Sequence, residues 1–77
     1  MRIHLGGHLS WYDPQKRPWL DLSPAAGLVS LRDLLNVLGV PPGDVAVALI
    51  NRRPAPLDQA VAADTDTVEF YPPLGGG

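Results

Sequence analysis

Apolar and polar residues alternate from Arg2 to Leu9, with Ile3, Leu5 and Leu9 on one face and Arg2, His4 and His8 on the other. Period-two alternation predicts a half-buried strand, because successive side chains of a strand point to opposite faces. Turn chemistry follows in Tyr12-Asp13-Pro14-Gln15-Lys16-Arg17, where Pro14 suits the second position of a turn and Asp13 can bond its own backbone. A second strand is predicted at 18–22 with Leu20 and Leu22 on one face, so the chain opens with a hairpin.

The pattern then changes period. Leu31, Leu34, Leu35 and Leu38 recur at i, i+3, i+4 and i+7, which places them in one stripe along a helix. Ser30 can cap its start and Asp33 can return the bond, while Val29 can pack on Leu34 as a staple. Gly39 stands where a left-handed closing residue is wanted, Val40 can touch Leu35, and Pro41-Pro42 forbid continuation. These signals bound a helix of about nine residues whose single leucine face suits packing across a sheet.

From Val45 to Ile50 every residue is apolar, as expected of a strand covered on both faces or central to a sheet. Asn51-Arg52-Arg53-Pro54 turns the chain, and the prolines near Pro56-Leu57 suit a short edge segment. Ala60-Val61 is read as a brief helical or 3₁₀ turn, and Asp64-Thr65-Asp66 as a bend. The last predicted strand is 67–71, with Val68 and Phe70 inward and Thr67, Glu69 and Tyr71 outward.

Composition narrows the classes. A chain of 77 residues holds one domain and one modest core, and buries about 60–65% of its unfolded surface. It is 45% hydrophobic and 18% charged, which is globular rather than disordered. With a formal net charge of -2 and only Lys16-Arg17 and Arg52-Arg53 as adjacent basic pairs, polyphosphate is not generally attracted, so nucleic acid is not an expected partner. The absence of cysteine excludes disulfides, thiolate zinc sites and cysteine nucleophiles. The first residues do not open like a signal peptide and no apolar run approaches the length of a membrane span. A soluble, cytoplasmic protein with no membrane partner is therefore expected.

The candidate chemistry lies in the last eight residues, Phe70-Tyr71-Pro72-Pro73-Leu74-Gly75-Gly76-Gly77. Glycine lacks a Cβ, so three in a row make a thin thread that can enter a slot closed to side chains. The prolines favour an extended approach, and four residues beyond Pro73 reach about 13–14 Å. The alternative reading of three terminal glycines is a flexible end without function. The chain divides on this reading into a domain at 1–73 and a flexible glycine tail at 74–77. Elsewhere, His4 and His8 on one strand would be about 13 Å apart, too far to chelate one metal. Gly6-Gly7 lacks the setting of a phosphate loop and is read as a bulge or a close backbone approach. Ser10, Ser23 and Ser30 suggest no triad, and Asp64 with Asp66 lacks the rest of a calcium loop.

An opening hairpin, a crossing helix and a terminal strand in a domain of this size point to an α+β fold of the β-grasp (ubiquitin-like) class, a mixed sheet of four to five strands with one main helix packed across it. The run Val47-Ala48-Leu49-Ile50-Asn51, then Leu57-Asp58, Val61, Asp64-Thr65-Asp66-Thr67-Val68 and Glu69 to Gly77, resembles the sulfur-carrier family of that superfamily. The family includes the molybdopterin synthase small subunit and the thiamine-pathway carrier, and the Pro-Pro pair is more similar to the molybdopterin side. Arg52 stands where the family has glycine after the asparagine, and Thr65 where it has glycine between the aspartates.

The resemblance implies that the protein is a carrier rather than an enzyme on its own, or the small subunit of a molybdopterin synthase, and that it binds no cofactor itself. The Gly77 carboxylate would be joined to AMP by an E1-like adenylating enzyme that uses ATP. A sulfur donor would then displace AMP to leave a thiocarboxylate, and an acceptor such as the molybdopterin synthase large subunit would take the sulfur for the molybdenum or tungsten cofactor. Activation is needed because a carboxylate, with a pKa of about 3.5, is ionised and a poor electrophile at neutral pH. Gly75 and Gly76 would enter the partners' active sites. Tyr71, Leu74 and Phe70 are candidate apolar anchors on the sheet face near the tail, with Arg52 and Arg53 on the rim; Phe70 serves equally as core. The alternatives are a thiamine-pathway carrier, a ubiquitin-like modifier and an unconjugated interaction module.

Overall fold

A computed structural model describes residues 1–73. Its elements in chain order are β1 (Arg2–Leu5), a 3₁₀ turn (Gly7–Tyr12), β2 (Trp19–Asp21), β3 (Leu28–Ser30), α1 (Leu31–Leu38), a second 3₁₀ turn (Pro42–Asp44), β4 (Val47–Ile50), β5 (Arg53–Pro54), β6 (Val61–Ala63) and β7 (Thr67–Tyr71). Five strands form one mixed sheet in the order β2-β1-β7-β4-β5, and β3 pairs with β6 in a separate ladder. β1 and β7 run parallel, with Ile3 beside Val68 and Leu5 beside Phe70, whereas β1-β2, β4-β7 and β4-β5 are antiparallel. The class is α+β: a mixed five-stranded sheet with one main helix. Among the described residues no helix is long and apolar enough to cross a membrane.

α1 begins and ends where local chemistry directs. The Ser30 hydroxyl accepts from the Asp33 backbone N–H, satisfying one of the donors that a helix start leaves unpaired. Gly39 takes the left-handed conformation (φ 74°), and the Val40 N–H closes onto the Leu35 carbonyl. Leu31, Leu34 and Leu35 are fully buried and share one apolar cluster with Ile3, Leu5, Leu20, Ala48, Val68 and Phe70. Each leucine removed from water in this way contributes about 1.5–3 kcal/mol.

Several expectations are corrected. The first strand stops at Leu5, because Gly7 turns to φ 52° and starts the 3₁₀ turn. Leu9 is still fully buried, inserted from that turn, and His8 leaves the face that carries His4. Ala60-Val61 is not helical: Val61 opens β6 and pairs with Ser30, so the β3-β6 ladder ends at the start of the helix. The edge strand lies at Arg53–Pro54 rather than near Pro56-Leu57, since Asn51-Arg52 alone turn the hairpin. Of the two placements expected for β4, it has the one inside the sheet, between β7 and β5, and is covered on one face only: Ala48 is buried, while Val47 on the other face is 46% exposed.

Candidate functional site

β7 is the strand that leads to residues 74–77, and it is paired along both edges. Its inner residues Val68 and Phe70 are fully buried. Phe70 therefore belongs to the core and offers no surface to a partner, which corrects its candidacy as an anchor. The cause is the strand's central position: an inward residue there faces the α1 leucines, and no solvent edge is near.

The first strand grips the end of β7 by backbone contact. The Gly6 N–H donates to the Phe70 carbonyl at 2.8 Å, and the Ala46 N–H donates to the Tyr71 carbonyl at 2.8 Å. A Cβ on Gly6 would lie 2.5 Å from Tyr71 Cδ1 and 3.1 Å from the Phe70 oxygen; one on Gly7 would lie 2.8 Å from Pro72 Cγ. Gly6-Gly7 is thus the close approach of two backbones that its composition suggested, and it admits the Tyr71-Pro72 segment against β1.

On the outer face, register places His4, Glu69 and Leu49 in one row across β1, β7 and β4, with Trp19 of β2 beside His4. Glu69 is outward as predicted, yet only 2% exposed. Arg52 Nη1 donates to both of its carboxylate oxygens, at 2.9 and 2.7 Å, and the Tyr71 hydroxyl donates to Oε2. The Tyr71 hydrogen bond, with Arg52 after it, holds the Glu69 carboxyl below its ordinary pKa against the opposing effect of burial. The same carboxylate raises the Tyr71 phenol above its ordinary value. The His4 ring lies 4.5 Å from Trp19 and 5.5 Å from Tyr71 between centroids, and its buried Nδ1 has no hydrogen-bond partner. Arg2 lies over Trp19 at 4.6 Å, a cation–π contact.

Arg52 reaches Glu69 from an uncommon backbone. Asn51 and Arg52 have φ 51° and 69°, the left-handed pair that a two-residue hairpin favours and that usually selects glycine at its second position. Asn51 earns its place locally: its Nδ2 donates to Asp66, and its Oδ1 accepts from the Thr67 N–H. Asp66 also accepts from the Ala63 N–H, which with Asn51 lowers its pKa. Arg52 has the ion pair with Glu69 instead.

Among the predicted site residues, Tyr71 and Arg52 meet at Glu69, while Arg53 is exposed one residue along, in the edge strand β5. Leu74, Gly75, Gly76 and Gly77 lie outside the described residues. Sequence reasoning turned His4 and Glu69 outward on their own strands but did not bring them together in the site, and it gave Trp19 no place there. The alternation of β7 turns Glu69 outward, but the cation that pairs with it is Arg52, which lies 17 residues away along the chain. Among the described residues, no three His, Cys, Asp or Glu side chains gather to hold a metal ion. Comparison with protein-family models, with curated proteins and with solved structures gives no match.

Proposed function

We propose that this is a sulfur carrier of the β-grasp class, whose Gly77 carboxylate is adenylated by an ATP-dependent enzyme and converted to a thiocarboxylate for molybdopterin-type cofactor synthesis. The observation that carries the reading is the position of β7. The strand leading into Leu74-Gly75-Gly76-Gly77 is paired on both edges and packed on its inner face, so the segment beyond Pro73 is rooted in the part of a sheet that frays least. A reactive group delivered into another protein's active site gains from such a base, because less orientational freedom is lost on docking.

The topology supports the fold half of the proposal. An antiparallel β1-β2 hairpin, a helix packed on the sheet and a last strand running parallel to the first between β1 and β4 form the arrangement expected of a β-grasp domain. The Tyr71-Glu69-Arg52 group supports a docking role for the outer face near the tail, with Arg52 76% exposed above a carboxylate that it neutralises. Activation would join the Gly77 carboxylate oxygen to the α-phosphorus of ATP with loss of pyrophosphate. Attack of a sulfur donor at the carbonyl carbon would then expel AMP.

Deletion of Gly76 and Gly77 in a cell that depends on this chain for its molybdenum cofactor tests the proposal. Loss of cofactor with the folded protein still present is expected; unimpaired cofactor production refutes it.

A further inference from the structure

The first 3₁₀ turn carries the most exposed large apolar side chain in the described structure. Trp11 is 72% exposed, and the core makes no use of it. An isolated exposed apolar residue needs no explanation, but this one is displayed on a braced platform. Leu9, two residues earlier, is fully buried and pins the turn to the core. Tyr12, one residue later, donates its hydroxyl to Asp44 of the second 3₁₀ turn. Asp13 ends the segment: it is 6% exposed, and its carboxylate accepts from the Arg17 side chain and from the Gln15 and Arg17 backbone N–H groups.

The platform also stands at the end of the sheet from which residues 74–77 continue. Gly7, its first residue, abuts Pro72. A 3₁₀ helix rises about 2 Å per residue, so Trp11 lies about 8 Å along the turn from that contact. Four residues of extended chain beyond Pro73 reach about 13–14 Å at most. A protein that takes Gly77 into its active site must bring its surface within that radius of Pro73, and the turn displaying Trp11 lies inside it.

We infer that Trp11 is a docking anchor for the enzyme that adenylates Gly77, fitting an apolar socket beside the channel that admits the glycines. The inference rests on the sulfur-carrier reading and adds to it a second point of attachment, separate from the tail and from the outer sheet face. An indole presented from a braced turn suits the task, since tryptophan is enriched among residues that dominate binding and only two side-chain torsions need fixing.

The test uses the whole carrier with the adenylating enzyme of its own source organism, and follows ATP–pyrophosphate exchange as a function of carrier concentration. Trp11→Ala is expected to raise the carrier's KM roughly tenfold or more with kcat within about twofold, and Trp11→Phe to recover part of the loss. Trp11→Ala should leave the melting temperature in place, because the indole is largely in water. In fluorotryptophan-labelled carrier, the Trp11 fluorine resonance, assigned from Trp11→Phe, should shift on addition of the enzyme. A KM for Trp11→Ala within twofold of the parent, or an unmoved Trp11 resonance at saturating enzyme, overturns the inference while exchange by the parent chain leaves the carrier reading intact. Absence of exchange with the parent chain overturns both.

Discussion

Replacing Gly6 by alanine perturbs the contact on which the base of the tail depends. The Gly6 backbone, at φ -76° and ψ 157°, is extended and suits alanine, so the substitution introduces no dihedral strain. It also removes freedom from the unfolded chain, worth about 0.4–1 kcal/mol in favour of the folded state. Against this stands a clash: the new Cβ would lie 2.5 and 2.9 Å from two Tyr71 ring atoms and 3.1 Å from the Phe70 carbonyl oxygen. The ring cannot simply swing away, because its hydroxyl is bonded to Glu69 and its face lies by His4; the carbonyl is fixed by the Gly6 N–H. Overpacking of this kind costs about 1–3 kcal/mol. The net expectation is destabilisation by about 1–2 kcal/mol, a fall in Tm of about 4–16 °C for a domain of this size. Thermal unfolding followed by circular dichroism measures it. Alkaline absorbance titration supplies a second readout: Tyr71 titrates above the ordinary tyrosine value in the parent and should move back towards it when the ring is displaced. An unchanged or raised Tm with an unmoved phenol titration would refute the close approach of β1 and β7.

Four further outcomes follow from the same contacts. Phe70→Ala should cost about 3–5 kcal/mol in denaturant unfolding, as for a buried aromatic; a loss under 1 kcal/mol would return Phe70 to the surface. Arg52→Gly relieves a left-handed non-glycine residue yet strips Glu69 of its cation, so the Glu69 carboxyl should titrate higher by NMR and the protein should be less stable; a more stable variant with an unmoved carboxyl would show that the ion pair contributes nothing. Asp13, Asp66 and Glu69 all have carboxyl pKa values lowered in the folded state, Asp13 chiefly by the Arg17 side chain. Their contribution is therefore present above the unfolded carboxylate value of about 4 and is lost as pH falls below it, so denaturant midpoints should drop between pH 5 and pH 2; a flat profile would contradict the three depressions. Ser30→Ala should cost about 0.5–2 kcal/mol by removing the helix cap, with no effect on Tyr71 titration; an unaltered unfolding midpoint would remove the cap from the account.

The helix and the last strand were legible because their signals are local. The leucine stripe, Ser30 and Gly39 fix α1 within a few residues of one another, and the alternation at 67–71 sorts Val68 and Phe70 from their neighbours without reference to any other strand. The β3-β6 ladder was not legible, since three-residue strands carry too little alternation and form through pairing of Leu28 to Ser30 with residues more than 30 positions away. The first strand was drawn too long because Leu9 keeps the strand's parity, and only the left-handed Gly7 reveals that a 3₁₀ turn delivers it to the core. At the candidate site, Tyr71 and Arg52 could be named from residue type. The buried Glu69 that joins them could not, because a carboxylate in an alternating strand ordinarily faces water, and its cation comes from a turn distant in sequence.

Intact-mass measurement of the full chain after incubation with ATP, sulfide and its adenylating enzyme, with fragmentation to locate any change, tests the central claim most directly. Exchange of one oxygen for one sulfur at Gly77 is the predicted result. An unchanged mass, or a lysine-linked adduct in place of the thiocarboxylate, would contradict it.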